Sequence, residues 1–169
     1  YAPVLSDRWR MAVSVENPSA SYTCIPEMSE PISQRCPDIP AYVQYNPDKD
    51  SHIRVSGIFR QLSYRDMLSG RNRFVTGWGM QLSGQALVGH GFTFYYSAAY
   101  GKGIAHYVND LGGQGLDLIH SGNAGELKAP GTFVFTSGLQ YDFSSRFFVS
   151  ASYSQCRLYG QKSLGPDAY

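Results

Sequence analysis

Arginine recurs on the polar positions of extended, alternating stretches of this sequence. Arg10 and Arg60 lie near the middle of their stretches, whereas the other arginines of this kind lie nearer the ends. These others are Arg8, Arg54, Arg73 and Arg146. Guanidinium groups that project into water from one wall create a positive potential and bind carboxylates and phosphates. We therefore expect a water-lined surface that favours anions, with Arg10 and Arg60 at its narrowest point.

Residues for catalysis or metal binding form no recognisable motif. The sequence contains no Walker loop, no GxSxG elbow, no CxxC pair and no HExxH, and no serine is convincingly paired with a histidine. The histidines fall in turns or loops without the spacing of metal ligands. They are His52, His90, His106 and His120. We therefore expect neither an enzyme, nor a cofactor, nor a metal site.

The arginines are positioned by stretches in which apolar and polar residues alternate. Within residues 51–66, Val55 and Phe59 occupy one set of positions, and Arg54 and Arg60 occupy the other. Such alternation predicts a β-strand with one apolar and one polar face. The apolar positions are rich in aromatics, and the stretches reach about ten residues, the length that a tilted strand needs to cross a bilayer. This pattern is typical of an antiparallel transmembrane β-barrel.

The pattern predicts about seven strands joined by links of two lengths. The strands cover residues 8–16, 41–46, 51–66, 73–85, 92–101, 132–143 and 146–154. Long loops at 20–38 and 105–129 fall on one side, and the tight turns fall mostly on the other, as in outer-membrane barrels with long external loops. We interpret residues 1–169 as one incomplete barrel domain with both long loops external. The residues expected to point away from the barrel axis are Trp9, Val55, Phe59, Trp78, Phe94, Phe133 and Val149.

In such a barrel the arginines have a second interpretation. Arginines near strand ends can reach the lipid headgroups or bind lipopolysaccharide phosphates instead of lining the pore. Glu16 and Asp142 share the polar positions and could pair with arginines across the lumen, which would weaken the preference for anions.

Composition agrees with the barrel class. The 169 residues include 18 glycines, 13 tyrosines and 9 phenylalanines, and 14 basic residues balance 13 acidic ones. This balance gives no reason to expect nucleic acid as a partner. No apolar stretch reaches the length of a membrane helix, and the first residues lack the features of a signal peptide. Because the polar tail adds no closing strand, we interpret the chain as the front or middle half of a larger barrel.

Two of the three cysteines allow a disulfide bond. Cys24 and Cys36 lie in the same predicted loop, and such pairs are commonly oxidised outside the cytosol. We therefore predict a Cys24–Cys36 disulfide bond that stiffens the first loop, with two reduced cysteines as the alternative. Cys156 lies on a strand, and its spacing from the other two fits no metal site.

Several short strings resemble the DcaP-like family of trimeric outer-membrane porins. In order along residues 8–159 they are 14–18 (SVENP), 54–60 (RVSGIFR), 76–79 (TGWG), 100–104 (YGKGI) and 107–111 (YVNDL). The resemblance implies a sixteen-stranded, homotrimeric channel of the Gram-negative outer membrane that passes small anions, dicarboxylates in particular. The family's amino-terminal helical extension and its second half of strands have no counterpart in this sequence.

These observations predict a passive outer-membrane porin for small hydrophilic and preferably anionic solutes. Its expected partners are outer-membrane lipid, further copies of the same chain and the solutes themselves. One alternative is a structural or adhesive outer-membrane barrel with a plugged lumen, which would show no open-pore current. Another is a secreted β-sandwich lectin, which would be soluble without detergent.

Overall fold

The computed structural model of this chain describes residues 1, 6–25, 27–89, 91–123, 125–144 and 146–160. The alternating stretches form long strands, and the two long loops contribute three short ones. In chain order the strands are β1 (Trp9–Val13), β2 (Ser29–Pro31), β3 (Ile39–Tyr45), β4 (His52–Asp66), β5 (Arg71–Leu87), β6 (Phe92–Lys102), β7 (Ile119–His120), β8 (Leu127–Lys128), β9 (Gly131–Ser144) and β10 (Phe147–Tyr159). A 3-10 helix covers Ala105–Tyr107. His90 and the polar tail after residue 160 lie outside the described residues.

A single antiparallel sheet contains every long strand. Its order is β1-β3-β4-β5-β6-β9-β10, with the short β2 beside β4. The strands on this path are the seven that alternation predicts, so the predicted all-β antiparallel fold is confirmed. Within the described residues the sheet has two open edges, β1 and β10, and does not close into a barrel. No helix in the same residues is long and apolar enough to cross a membrane.

The connections alternate between the two ends of the sheet. Both long loops, and the turn between β4 and β5, leave from one end, which we call the loop end. The tight links before β4, β6 and β10 leave from the other, which we call the turn end. The predicted sorting of long and short links is therefore present.

One side of the sheet, the apolar face, carries the aromatic and aliphatic side chains. Phe59 lies opposite Trp78 in cross-strand register, and both side chains are exposed. Aromatic rings on this face also contact each other across strands, with ring centroids 4.4 Å apart for Phe92 and Tyr141. The seven residues expected to point away from the barrel axis all share this face, as their registers show.

The opposite side, the polar face, is covered by the two long loops near the loop end. β2 of the first loop pairs with the end of β4, and β7 and β8 form a small hairpin within the second loop. Leu118 and Leu127 of the second loop pack with Leu62 and Tyr64 of β4 into a buried cluster. Burial of one such leucine side chain contributes about 2 kcal/mol. The loops are therefore held against the sheet by a small hydrophobic core of their own.

Glycines on the polar face let the second loop approach the sheet closely. A Cβ atom on Gly79 would lie 3.0 Å from Ile104 Cγ2, and one on Gly101 would lie 2.9 Å from Ile104 Cδ1. The chain then turns at Gly103, whose φ of +66° is costly for other residues. Gly79 and Gly101 therefore form the floor on which Ile104 lies buried.

The predicted disulfide bond is not present, because Cys24 and Cys36 are both free thiols in the structure. The segment between them is anchored to β4 instead of closing on itself. β2 pairs with the end of β4, and Gln34 exchanges hydrogen bonds with the backbone of Ser63 at 2.7 and 2.9 Å. Cys24 packs against the buried leucine cluster, where burial raises the pKa of its thiol.

Candidate functional site

A continuous row of polar side chains crosses the polar face. Each member lies opposite the next in cross-strand register, from one edge of the sheet to the other. The row consists of Arg10, Gln44, Arg54, Ser83, Ser97, Thr136 and Ser154. Strands place these residues on one face because successive side chains alternate. The row therefore forms a continuous band of guanidinium, amide and hydroxyl groups across the polar face.

Arg10 and Arg54 flank Gln44 in this row. Arg54 donates to Gln44 Oε1 from Nε at 2.8 Å and from Nη2 at 2.5 Å, and its guanidinium lies 4.5 Å from the centre of the Tyr42 ring. These partners fix the side chain without neutralising it. Arg10 is exposed and lines a cleft of about 510 Å³ together with Arg8 and Lys49. Asp7 and Asp48 line the same cleft.

Arg60, predicted to line the narrowest part of the pore, is instead completely buried. Its Nε donates to Asp38 at 2.9 Å, and its Nη1 donates to Asp117 at 3.1 Å and to the Gly103 carbonyl at 2.7 Å. Nη2 donates to the carbonyl of Ser19. The guanidinium is thus enclosed by both long loops, and its charge is compensated by two carboxylates.

Tyr107 completes this group, which we call the Arg60 cluster: Arg60, Asp38, Asp117 and Tyr107. The Tyr107 hydroxyl donates to Asp38 at 2.8 Å, and its ring centre lies 4.9 Å from the Arg60 guanidinium carbon. Burial, followed by the neighbouring Asp38, raises the pKa of the Tyr107 phenol. Asp117 also accepts the backbone N–H groups of Ser21 and His106. The carboxylates are buried but hydrogen-bonded, which is what buried charges require.

The prediction that Arg60 is a pore-lining anion site is therefore corrected. Its position on the polar face is as predicted, but both loops cover it and its side chain is 0% exposed, so a solute at the polar face does not reach it. Alternation determines which face a side chain occupies. It does not determine what covers that face.

The remaining predicted arginines lie toward the ends of the sheet. Arg73 donates to Asp66 at 2.8 Å at the loop end, where its charge is compensated. Arg8 and Arg146 are exposed at the turn end. The structure therefore brings Arg8, Arg10 and Arg54 toward one region and leaves Arg60, Arg73 and Arg146 apart from it.

Between the polar row and the Arg60 cluster lies a cleft of about 580 Å³. Its floor includes Ser97, Thr136 and Ser154 of the row, and the second loop forms its other wall. Glu16 and Asp110 line it as well. Glu16 Oε2 lies 3.3 Å from the Tyr107 hydroxyl, whose single proton is donated mainly to Asp38 at 2.8 Å. The predicted pairing of Glu16 with an arginine is not observed among the described residues.

Sequence reasoning missed the acidic members of the Arg60 cluster. Asp38 and Asp117 lie in the two long loops, where no periodicity marks them. One signal was available, because Leu116, Leu118 and Ile119 are apolar residues in an otherwise polar loop. Such residues indicate that the loop packs onto the sheet. An arginine on the strand beneath the loop would then be buried and would need carboxylate partners.

Comparison with known proteins identifies a structural relative. The chain is similar to the outer membrane channel DcaP of Acinetobacter baumannii, with a TM-score of 0.73 and 13% sequence identity. The similarity covers 94% of this chain and 42% of that one, so this chain spans less than half the length of the channel. No protein-family model matches the chain, and no curated protein matches it in sequence. The fold is that of part of an outer-membrane channel, as the resemblance in the sequence implied.

Proposed function

We propose that this chain is part of a passive channel in the outer membrane for small hydrophilic solutes, with a preference for anions. The observation that carries the proposal is the polar row, which continues across all seven long strands without an apolar interruption. An exposed apolar face opposite a polar face is the arrangement of a wall between lipid and water. No catalytic step forms part of this proposal.

The preference for anions rests on Arg10 and Arg54. They lie two strands apart in one row, about 10 Å between backbones at the usual strand spacing. The side chain between them, Gln44, is neutral. A carboxylate that passes this point meets two guanidinium groups, each able to form paired hydrogen bonds with it. Small anions, dicarboxylates among them, are therefore the solute class that we propose, and Arg8 adds positive charge at the turn end.

The wider assembly is part of the same proposal. We infer that further strands continue the sheet beyond β1 and β10, because open edges in lipid leave backbone groups unpaired. A sixteen-stranded barrel, a homotrimer and a Gram-negative outer membrane follow from the resemblance to the DcaP-like family. The loop end then faces outward, which makes both long loops external.

A second candidate function is a barrel with a plugged lumen that serves a structural or adhesive role. The packing of both long loops onto the polar face through the Arg60 cluster favours it. The cleft of about 580 Å³ beside the loops favours an open path instead. Measurable current through single molecules of the full-length protein supports the channel, and its absence from correctly folded protein supports the plug.

Selectivity is tested by replacing both arginines in the full-length protein. We expect the R10Q/R54Q double variant to shift the reversal potential toward cations in a salt gradient, most strongly at low ionic strength. Screening is the reason, because the Debye length is about 8 Å at physiological salt. The matched control is the K102Q/R157Q double variant, which removes the same number of positive charges from the apolar face. Equal reversal potentials for the double variant and the wild type would contradict the role of Arg10 and Arg54.

A further inference from the structure

The charged residues on the apolar face are distributed unevenly. Along β5, β6, β9 and β10, only Lys102 and Arg157 among the residues of this face carry a charge, and both are exposed. Both lie at the loop end. The remainder of this face on these strands is aromatic, aliphatic or uncharged down to the turn end. A membrane-facing surface of this kind carries cations at one leaflet only.

The register places Lys102 and Arg157 close together. Lys102 lies opposite Gly131 of β9, and Gly131 lies opposite Tyr159 of β10. Arg157 is two residues before Tyr159, so the two cations are two strands and two residues apart. At standard strand spacings their Cα atoms are about 12 Å apart. Both side chains are long enough for their charged groups to reach one headgroup placed between them.

A tyrosine hydroxyl lies beside the strand position between the two cations. Gly131 occupies that position and is buried, because a Cβ there would be 3.5 Å from the Tyr100 hydroxyl and 3.4 Å from Tyr159 Cβ. The Tyr100 hydroxyl is therefore a polar group near both cations. Among the described residues neither cation forms an ion pair with a carboxylate. The neighbour of Arg157 is the neutral amide of Gln155, whose oxygen, in the amide orientation that satisfies both side chains, accepts from Nε and Nη2 at 3.0 Å each.

We propose that Lys102 and Arg157 bind the phosphate groups of a phosphorylated lipid in the external leaflet, with Tyr100 as an additional donor. This inference rests on the membrane placement in the proposed function. Charge-assisted hydrogen bonds from a guanidinium and an ammonium are the usual recognition of phosphate. The aromatic rings beside them, Trp78 and Tyr159, have the amphipathic character of residues at the level of the headgroups.

The observations favour lipid over a second copy of the chain as the occupant. A contact between identical copies would need a surface complementary to two cations, and this face of the four strands has no carboxylate to supply one. Arg65 is the one other cation at the loop end of the apolar face on the long strands. It lies opposite Glu30 and therefore already has an acidic neighbour. An unpaired pair of cations at one leaflet fits an anionic lipid surface.

The test measures lipid binding to the full-length protein in mild detergent by native mass spectrometry. Diphosphorylated lipid A is compared with its dephosphorylated form, with inorganic phosphate added as a competitor in a separate arm. The variants are the K102Q/R157Q double variant, the charge-conserving K102R/R157K variant and the matched control K49Q/R146Q, which removes one lysine and one arginine at the turn end. Heat-modified gel mobility confirms that each variant is folded, and single-channel current, which does not depend on added lipid, tests the proposed function separately.

We expect the double variant to bind diphosphorylated lipid A at least about tenfold more weakly, a factor equal to about 1.4 kcal/mol. The charge-conserving variant and the K49Q/R146Q control should bind as the wild type does. Equal binding of the phosphorylated and dephosphorylated lipids, or equal binding by the double variant and the wild type, would overturn the proposal. Full competition by inorganic phosphate at low millimolar concentration would overturn the lipid assignment, and loss of oligomers without loss of lipid would indicate a contact between copies instead.

Discussion

The Arg60→Met variant tests whether the Arg60 cluster holds both loops onto the sheet. The substitution leaves the carboxylates of Asp38 and Asp117 without a cation, and their side chains are only 1% and 0% exposed. Removal of one partner from a buried ion pair costs about 3–5 kcal/mol. We expect a loss of about 4 kcal/mol, because the hydrogen bond from Tyr107 to Asp38 and the backbone N–H donors to Asp117 remain. Such a loss corresponds to about a 1000-fold change in the equilibrium between closed and open loops.

The assay is amide hydrogen exchange of the full-length protein in detergent micelles. Two loop amides report on closure, because Thr23 N–H donates to the Leu118 carbonyl and Asp117 N–H donates to the Ser21 carbonyl. Their exchange should accelerate by up to about 1000-fold in the variant. The amides of β5 and β6 serve as the internal control and should not change.

A triple variant removes the unpaired charges as well. R60M/D38N/D117N should recover part of the lost protection, because neutral amides are far cheaper to bury than carboxylates. Acceleration of less than about tenfold in the single variant would refute the anchoring role. So would a triple variant that is less protected than the single one, because the destabilisation would then not come from the uncompensated carboxylates.

Three further predictions concern the loops and their contacts with the sheet. Gly101→Val should lower the melting temperature, because a Cβ at this position would overlap the Trp78 carbonyl oxygen of β5 and lie 2.9 Å from Ile104 Cδ1 of the second loop; an unchanged melting temperature would contradict these contacts. His120 Nε2 accepts the Ile25 N–H at 3.1 Å, and burial lowers the pKa of this histidine. The neutral histidine should therefore stabilise the loop fully above its ordinary pKa near 6.5, and this contribution should be lost as the pH falls toward the lowered pKa. Exchange at Ile25, corrected for intrinsic rates, should therefore be faster at pH 5 than at pH 7.5 in the wild type and independent of pH in His120→Gln. A maleimide should label Cys36 and Cys24 without reductant, Cys24 more slowly, because burial raises the pKa of its thiol; protection of both would indicate a disulfide bond.

The sheet could be predicted because its information is local. In β4, Val55 and Phe59 alternate with Arg54 and Arg60, and this two-residue period fixes both the strand and the face of each residue. The order of the strands follows from the links, since short turns join neighbours in an antiparallel sheet. For these reasons the sequence alone predicts the seven long strands and their two faces correctly.

The loops could not be predicted because their structure depends on distant partners. β2, β7 and β8 are two or three residues long, too short for any periodic signal. The burial of Arg60 depends on Asp38 and Asp117, which lie 22 and 57 residues away along the chain. The disulfide prediction failed for the same reason: the sequence shows that two cysteines share a loop, but not that β4 binds the segment between them.

The span of the Arg60 cluster sets an order of events during assembly of the protein. Arg60 contacts Ser19 and Asp117, which are separated from it by 41 and 57 residues, whereas the hairpin of β4 and β5 closes through a four-residue turn. Chain segments that are close in sequence meet first, because the entropy of loop closure opposes distant contacts. The hairpins therefore pair before the cluster can close, so the polar face of the sheet is uncovered at first. The polar face becomes covered near the loop end only when Arg60 acquires its two carboxylates.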